Sequence, residues 1–226
     1  MLTWLPENVS TAGREIDFLF YLIYYVTGAV FILVMALLVF FLIRYRQRSG
    51  RRAVYTHGNT ALEITWTVIP AAILLVLTFL SASVWMRIKV NTPAPDLEIR
   101  VTAKQFNWEI LYPGPDGKFA TNDDLQMDNE LHVPVNKVVS LVLTSKDVIH
   151  SFFLPNLRLK QDAVPGRDTQ MWFEATKSGK YEAPCAELCG FGHSGMKGWL
   201  YVHTAEGYED WMREKWPGKS PDEMTG

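Results

Sequence analysis

Twelve residues, Cys185 to Met196, read CAELCGFGHSGM and bring together two thiols, an imidazole and a thioether at the spacing C-x3-C-x3-H-x2-M. Such a soft donor set selects copper ahead of magnesium, calcium or manganese. A mononuclear blue-copper site uses one cysteine, two histidines and a weak axial thioether, so the second cysteine is the informative departure. Two thiolates can each bridge two metal ions, and each ion then needs a terminal nitrogen. His193 supplies one, and the other must come from elsewhere in the chain. His150, in KDVIHSFFLP at the end of a strand-like run, is the best placed, because its apolar flanks suit a dry, rigid wall. The competing reading is a disulfide between two nearby cysteines, with His193 and Met196 as ordinary loop residues. Gly190, Gly192 and Gly195 weigh against it, since a chain wrapping closely around a centre needs permissive backbone angles. His57 in a basic loop, His132 beside Pro134 and His203 in a terminal strand are read as structural.

These donors need elements to hold them, and the chain supplies two kinds. Phe18 to Ile43 is a run of 26 uncharged residues and Ile64 to Met86 one of 23. Each exceeds the roughly 20 residues that a helix needs to cross about 30 Å of hydrocarbon. Two buried helices in a soluble core would be the alternative, but uninterrupted runs of this length are uncommon there. Pro70 lies early in the second run, where a missing N–H is better tolerated. Residues 1–90 are therefore expected to form an N-terminal segment and a transmembrane helical hairpin, spanning about 18–43 and 64–86. After the Pro-punctuated NTPAPD, residues 91–226 change texture. LEIRVTAKQFNWEILY, KVVSLVLTSKD, TQMWFEAT and MKGWLYVHT read as short strands of an antiparallel sandwich or barrel. AEGYEDWMREKW, with Tyr208, Trp211, Met212 and Trp216 near helical spacing, predicts a C-terminal helix. The turn-rich stretch 113–124, which contains Asp116, Asp123 and Asp124, lacks the spacing and the bidentate Glu of an EF-hand and is expected to be a solvated hairpin.

Charge follows the same division. The 22 basic and 24 acidic residues leave a net charge of −2, which predicts no nucleic acid partner. Of these, 8 basic and 4 acidic residues fall in 1–90, against 14 and 20 in 91–226. Arg44, Arg46, Arg48, Arg51 and Arg52 crowd the connection between the apolar runs, and short basic loops stay on the cytoplasmic side. Both termini are thus expected outside. Acidic residues precede the first run, which is also longer than a signal-peptide core, so it is expected to persist as an anchor. Two cysteines are too few for a disulfide-rich scaffold or a four-thiolate zinc site. No CxxCH is present, so no haem is attached through that motif.

DVIHSFFLPNLRLKQDAVPGR followed by CAELCGFGHSGMKG, behind a two-helix segment containing LEITWTVIPA, closely resembles subunit II of haem–copper cytochrome c oxidases over nearly the whole chain. The resemblance implies a two-helix transmembrane hairpin plus an all-β, cupredoxin-like Greek-key barrel holding the binuclear copper centre CuA. Electrons would pass from cytochrome c, or a c-type haem domain, through CuA to haem in subunit I, where O2 is reduced to water with proton pumping. It implies Cys185 and Cys189 as bridging thiolates and His150 and His193 as terminal ligands. Met196 would be a weak ligand and Glu187 a ligand through its backbone carbonyl. The Glu187 side chain would also reach a magnesium ion shared with subunit I. Glu63 would stand at the mouth of a proton pathway, and Asp162 and Arg167 at the subunit I interface. Haems would lie in subunit I alone. Subunit III and membrane lipid are further expected partners, in a bacterial cytoplasmic membrane with the copper domain on the periplasmic side.

One position departs from the family pattern. Where members commonly carry an exposed Trp that receives the electron, KQFNWEILY has Phe106, with Trp108 two residues on and expected in the core. Three other classes share parts of the pattern. A quinol oxidase subunit shares the fold but not the copper ligands, and a copper-containing nitric oxide reductase subunit would share both hairpin and motif. A membrane-anchored copper carrier would expose fewer and more labile ligands.

Overall fold

In the computed structural model, which describes residues 4–217, the chain divides by its contacts into two units. One is Glu15–Arg87; the other joins Met1–Arg14 to Ile88–Gly226. The ends of the two expected domains, residues 1–3 and 218–226, lie outside the described residues.

The first unit is helical. Helix α1 covers Gly13–Arg44 and α2 covers Thr60–Trp85, with a π-helical turn, Met86–Val90, continuing α2. Both start before their uncharged runs because a polar cap satisfies the first free N–H groups. Ser10 Oγ accepts from Gly13 N at 3.0 Å, and Asn59 Oδ1 accepts from Ala61 N and Leu62 N at 3.1 and 3.2 Å. Arg87 pairs with Glu15, tying the end of α2 to the first turn of α1, so the two helices form a hairpin. None of their most apolar stretch is buried, which excludes core helices of a soluble protein and leaves lipid or another protein as the medium.

Ten strands and a helix are described in the second unit. A five-stranded sheet runs β3 (Leu125–Asp128), β2 (Asn107–Tyr112), β1 (Leu97–Lys104), β5 (Val138–Ser145), β8 (Thr169–Glu174). A three-stranded sheet runs β4 (Glu130–Pro134), β10 (Lys197–His203), β9 (Gly179–Pro184), and β6 (His150–Leu154) pairs with β7 (Leu159–Ala163). The β1–β5 and β4–β10 pairs are parallel and the rest antiparallel. Strict alternation along β5 sends Val139, Leu141 and Leu143 inward, as a half-buried strand requires. They meet Ile99 and Val101 of β1, Trp108 of β2, Phe152 of β6 and Phe173 of β8 in one core. Helix α3 (Ala205–Lys215), capped by Thr204, buries Trp211, and Trp216 just beyond it donates to Asp123 O at 2.7 Å.

Two features go beyond what the sequence predicts. Residues 9–11 do not travel with the helices: Val9 N donates to Asn156 O, Thr176 N to Val9 O and Thr11 N to Glu174 O, and Val9 is fully buried in the barrel core. LEIRVTAKQFNWEILY is two strands, not one, folded back at Gln105–Phe106. The 113–124 stretch forms the expected hairpin, closing β2–β3, with Asp116 Oδ1 accepting from Lys118 N and Asp124 Oδ2 from Ala120 N.

Candidate metal centre

His150 opens β6, and the Cys185–Met196 loop leaves β9 and returns into β10. Backbone bonds register the two: Phe152 bridges Cys185, Ala186 N donates to Ser151 O at 2.9 Å, and Cys185 N to Met196 O at 3.0 Å. The loop is thereby folded back on itself and pressed against the start of β6. His150 and Ser151 are fully buried, and Cys185, Cys189 and Met196 are nearly so.

Both cysteines are free thiols, with Sγ atoms 3.9 Å apart. That is well outside a disulfide, yet inside the about 4.6 Å that two metal–sulfur bonds of about 2.3 Å span. His150 Nδ1 lies 3.9 Å from Cys185 Sγ, and His193 Nδ1 3.6 Å from Cys189 Sγ. Met196 Sδ stands 3.8 Å from Cys189 Sγ, and the Glu187 carbonyl accepts from Cys185 Sγ at 3.3 Å. Donor atoms of His150, Cys185 and Cys189 all fall within 4.8 Å of one another. Each sulfur thus has an imidazole and a weak donor beside it, an arrangement with enough donors for a thiolate-bridged metal pair. Burial, and then the neighbouring Cys185, push the Cys189 thiol up to about 11. Two adjacent thiolates in this place are therefore costly unless cations neutralise them.

The shell around the donors contains residues that sequence reasoning missed. Asp147 Oδ1 accepts from His150 Nε2 at 2.8 Å, which leaves Nδ1 facing the sulfurs. Burial alone would raise the Asp147 carboxyl, but the Gln105 N–H, His150 and the Val148 N–H outweigh it and hold it down to about 2. An acid three residues before a histidine was the available signal. Trp108, fully buried, meets the His150 ring edge-on at 6.0 Å and Phe152 at 4.9 Å, which builds the apolar wall. Gly190 has the permissive backbone angle expected of it, whereas Gly192 is required for space. A Cβ at Gly192 would stand 2.5 Å from the Phe106 ring and one at Gly190 2.8 Å from Gln105 Nε2, so the β1–β2 turn, pressing from outside, excludes side chains there. The φ of +130° at Gly190 is one that other residues rarely adopt, and at Gly195 nothing lies within 4 Å.

The family model for the periplasmic domain of cytochrome c oxidase subunit II matches residues 101–200, and that for its transmembrane domain matches residues 2–84. Cytochrome c oxidase subunit 2 of Thermostichus vulcanus is 33% identical, with 93% of this chain and 78% of that one covered. The chain belongs to the cytochrome c oxidase subunit II family. A probable cytochrome c oxidase subunit 2 of Rickettsia bellii is 34% identical over 84% of this chain and 76% of its own length. The solved periplasmic domain of subunit II of cytochrome oxidase from Bradyrhizobium japonicum is 34% identical over 55% of this chain and 96% of that domain, with a TM-score of 0.49. The fold is the family's: two apolar helices, then a cupredoxin-like β domain. Members of the family carry copper as CuA, and this chain is a membrane-bound subunit of a haem–copper oxidase.

The other residues singled out from sequence are dispersed. Phe106 is 39% exposed at the β1–β2 turn and Trp108 is in the core. Asp162 on β7 accepts from Ser151 Oγ at 2.6 Å, one residue from His150, while Arg167 lies exposed in the loop after β7. Glu63 lies exposed in the first turn of α2, its carboxylate folded over Gly58. His132 and His203 pair with each other at 2.8 Å beneath α3.

Proposed function

We propose that this chain is the electron-entry subunit of its oxidase, with Cys185 and Cys189 bridging a copper pair and His150 and His193 as the terminal ligands. Met196 and the Glu187 carbonyl complete the set. The observation that carries the reading is two buried free sulfurs 3.9 Å apart, each flanked by an imidazole. A binuclear copper centre held there would supply one-electron transfer and no bond-making chemistry. The chain's own residues do the rest. Asp147 holds the His150 ring, the Trp108–Phe152 wall keeps water away, and the loop's backbone bonds keep the donors in place through a redox change.

Electrons enter from cytochrome c or a c-type haem domain at the surface carrying Phe106 and leave toward haem in subunit I, the site of O2 reduction and proton pumping. Asp162 and Arg167 belong to the subunit I interface, and the Glu187 side chain to a magnesium ion shared with it. Glu63, next to the basic 44–52 connection, feeds protons from the cytoplasmic side; the β domain and both termini then face the periplasm of a bacterial cytoplasmic membrane. Subunit III and lipid cover the apolar helix surfaces. Metal analysis of the purified protein should give two copper ions per chain, falling below one in Cys185→Ser and Cys189→Ser. A wild-type chain that binds a single copper would sink the bridging assignment.

A further inference from the structure

One dipeptide touches both arms of the donor set. The Gln105 backbone N–H donates to Asp147 Oδ2 at 2.6 Å, and the other oxygen of that carboxylate accepts from His150 Nε2 at 2.8 Å. The Gln105 side-chain amide donates to the Cys189 carbonyl at 2.6 Å. Next to it the Phe106 ring lies on Gly192 so closely that a Cβ there would stand 2.5 Å from it, while a Cβ at Gly190 would stand 2.8 Å from the Gln105 amide nitrogen itself. The β1–β2 turn thus reaches 42 residues along the chain to the histidine arm and 84 residues to the cysteine arm.

We infer that Gln105 is a positioning residue for the copper pair, clamping the Cys189 peptide through its amide and the His150 ring through Asp147. This rests on the copper reading above. A bond to the Cys189 carbonyl fixes the peptide that sets the direction of its Cα–Cβ bond, and so the sulfur's approach to its neighbour. The same turn fixes the imidazole so that Nδ1, not Nε2, faces the sulfurs. The residue type suits this role, because an amide reaches across and donates without adding charge, whereas a carboxylate of the same length would repel the carbonyl. A stability role alone does not account for it, since Gln105 is exposed and exposed turn residues contribute little to folding. Supporting groups of this kind tune affinity and electronic structure without binding the metal.

The test uses the full chain in detergent, loaded with copper ions, as wild type, Gln105→Glu and Gln105→Met. Both variants should melt, metal-free, close to wild type and take up the same copper. Both should lose it to a chelator faster, by about tenfold or more, and show an altered copper hyperfine splitting in electron paramagnetic resonance. Release at the wild-type rate with unchanged splitting would overturn the inference, and so would a large drop in melting temperature with an unchanged spectrum, the mark of a purely structural residue. A wild-type chain that holds no copper pair would overturn the copper reading as well, while indistinguishable copper-loaded proteins overturn the role of Gln105 alone.

Discussion

Proton and metal compete at the two sulfurs. With the Cys189 thiol pushed up to about 11 by burial and then by Cys185, copper must displace a proton that is held through the whole neutral range. Lowering the pH strengthens the competing proton, so apparent copper affinity should rise with increasing pH, by up to about tenfold per pH unit for each proton released, and fall as pH is lowered. Chelator-competition titrations at several pH values between 6 and 8 measure the slope, and a flat profile would contradict protonated thiols in the metal-free site. Removing the histidine's support should act differently. Asp147→Ala frees the His150 ring and is expected to weaken copper binding about 10- to 100-fold, by the same titration at fixed pH. The sequence displays the donors well because soft ligands are rare and here sit in one loop, with a single partner, His150, to be found elsewhere. It does not display Gln105, whose type and exposed position are ordinary and whose part depends on a turn folding back across 84 residues.

At the level of elements, the long helices and the most apolar strands are visible in the chain, and the short or polar strands are not. β5 and β10 alternate cleanly, whereas β7 (LKQDA) and β9 (GKYEAP) carry few apolar residues and become strands only because β6 and β10 offer them partners. Residues 9–11 precede the first helix and so read as part of the hairpin, yet their backbone is satisfied by β8 and the loop after β6. Trp108 joins the core to the metal wall, so Trp108→Ala should cost about 3–5 kcal/mol in denaturant unfolding and also weaken copper retention. Helix α3 has its own sensitivity. His132, stacked at 4.5 Å on Tyr201 and 4.8 Å on Trp211, is held down to about 4 by burial and then by His203. Glu130 partly offsets this, while Lys215 adds to it. A histidine depressed below its unfolded value of about 6.5 binds fewer protons when folded, so stability is full above that pH and is lost as pH falls toward 4. Tryptophan fluorescence should report a loss on the order of 2 kcal/mol across that window. His132→Phe, which keeps a stacked ring but cannot take a proton, should flatten it; an equally steep profile in that variant would exclude this histidine as the cause.

For the whole molecule, the near-neutral total conceals two environments. The basic surplus is concentrated beside the apolar helices, where it acts on topology, and the acidic surplus lies in the part that carries the proposed copper ligands. That surplus suits a basic redox partner, so the association rate with the proposed donor, cytochrome c, should fall as ionic strength rises. Glu63→Gln in the assembled oxidase should lower steady-state turnover while leaving the copper spectrum intact, because the residue lies in the helical unit and the proposed copper ligands in the other. Unchanged turnover would make Glu63 an interfacial acid and no more. The central claim, that two thiolates of this chain bridge a copper pair, is tested most directly by electron paramagnetic resonance of the oxidised, copper-loaded protein. One unpaired electron shared equally over two copper nuclei, with the visible and near-infrared bands of a mixed-valence thiolate-bridged pair, is the expected result. Isolated Cu(II) signals without those bands would contradict it.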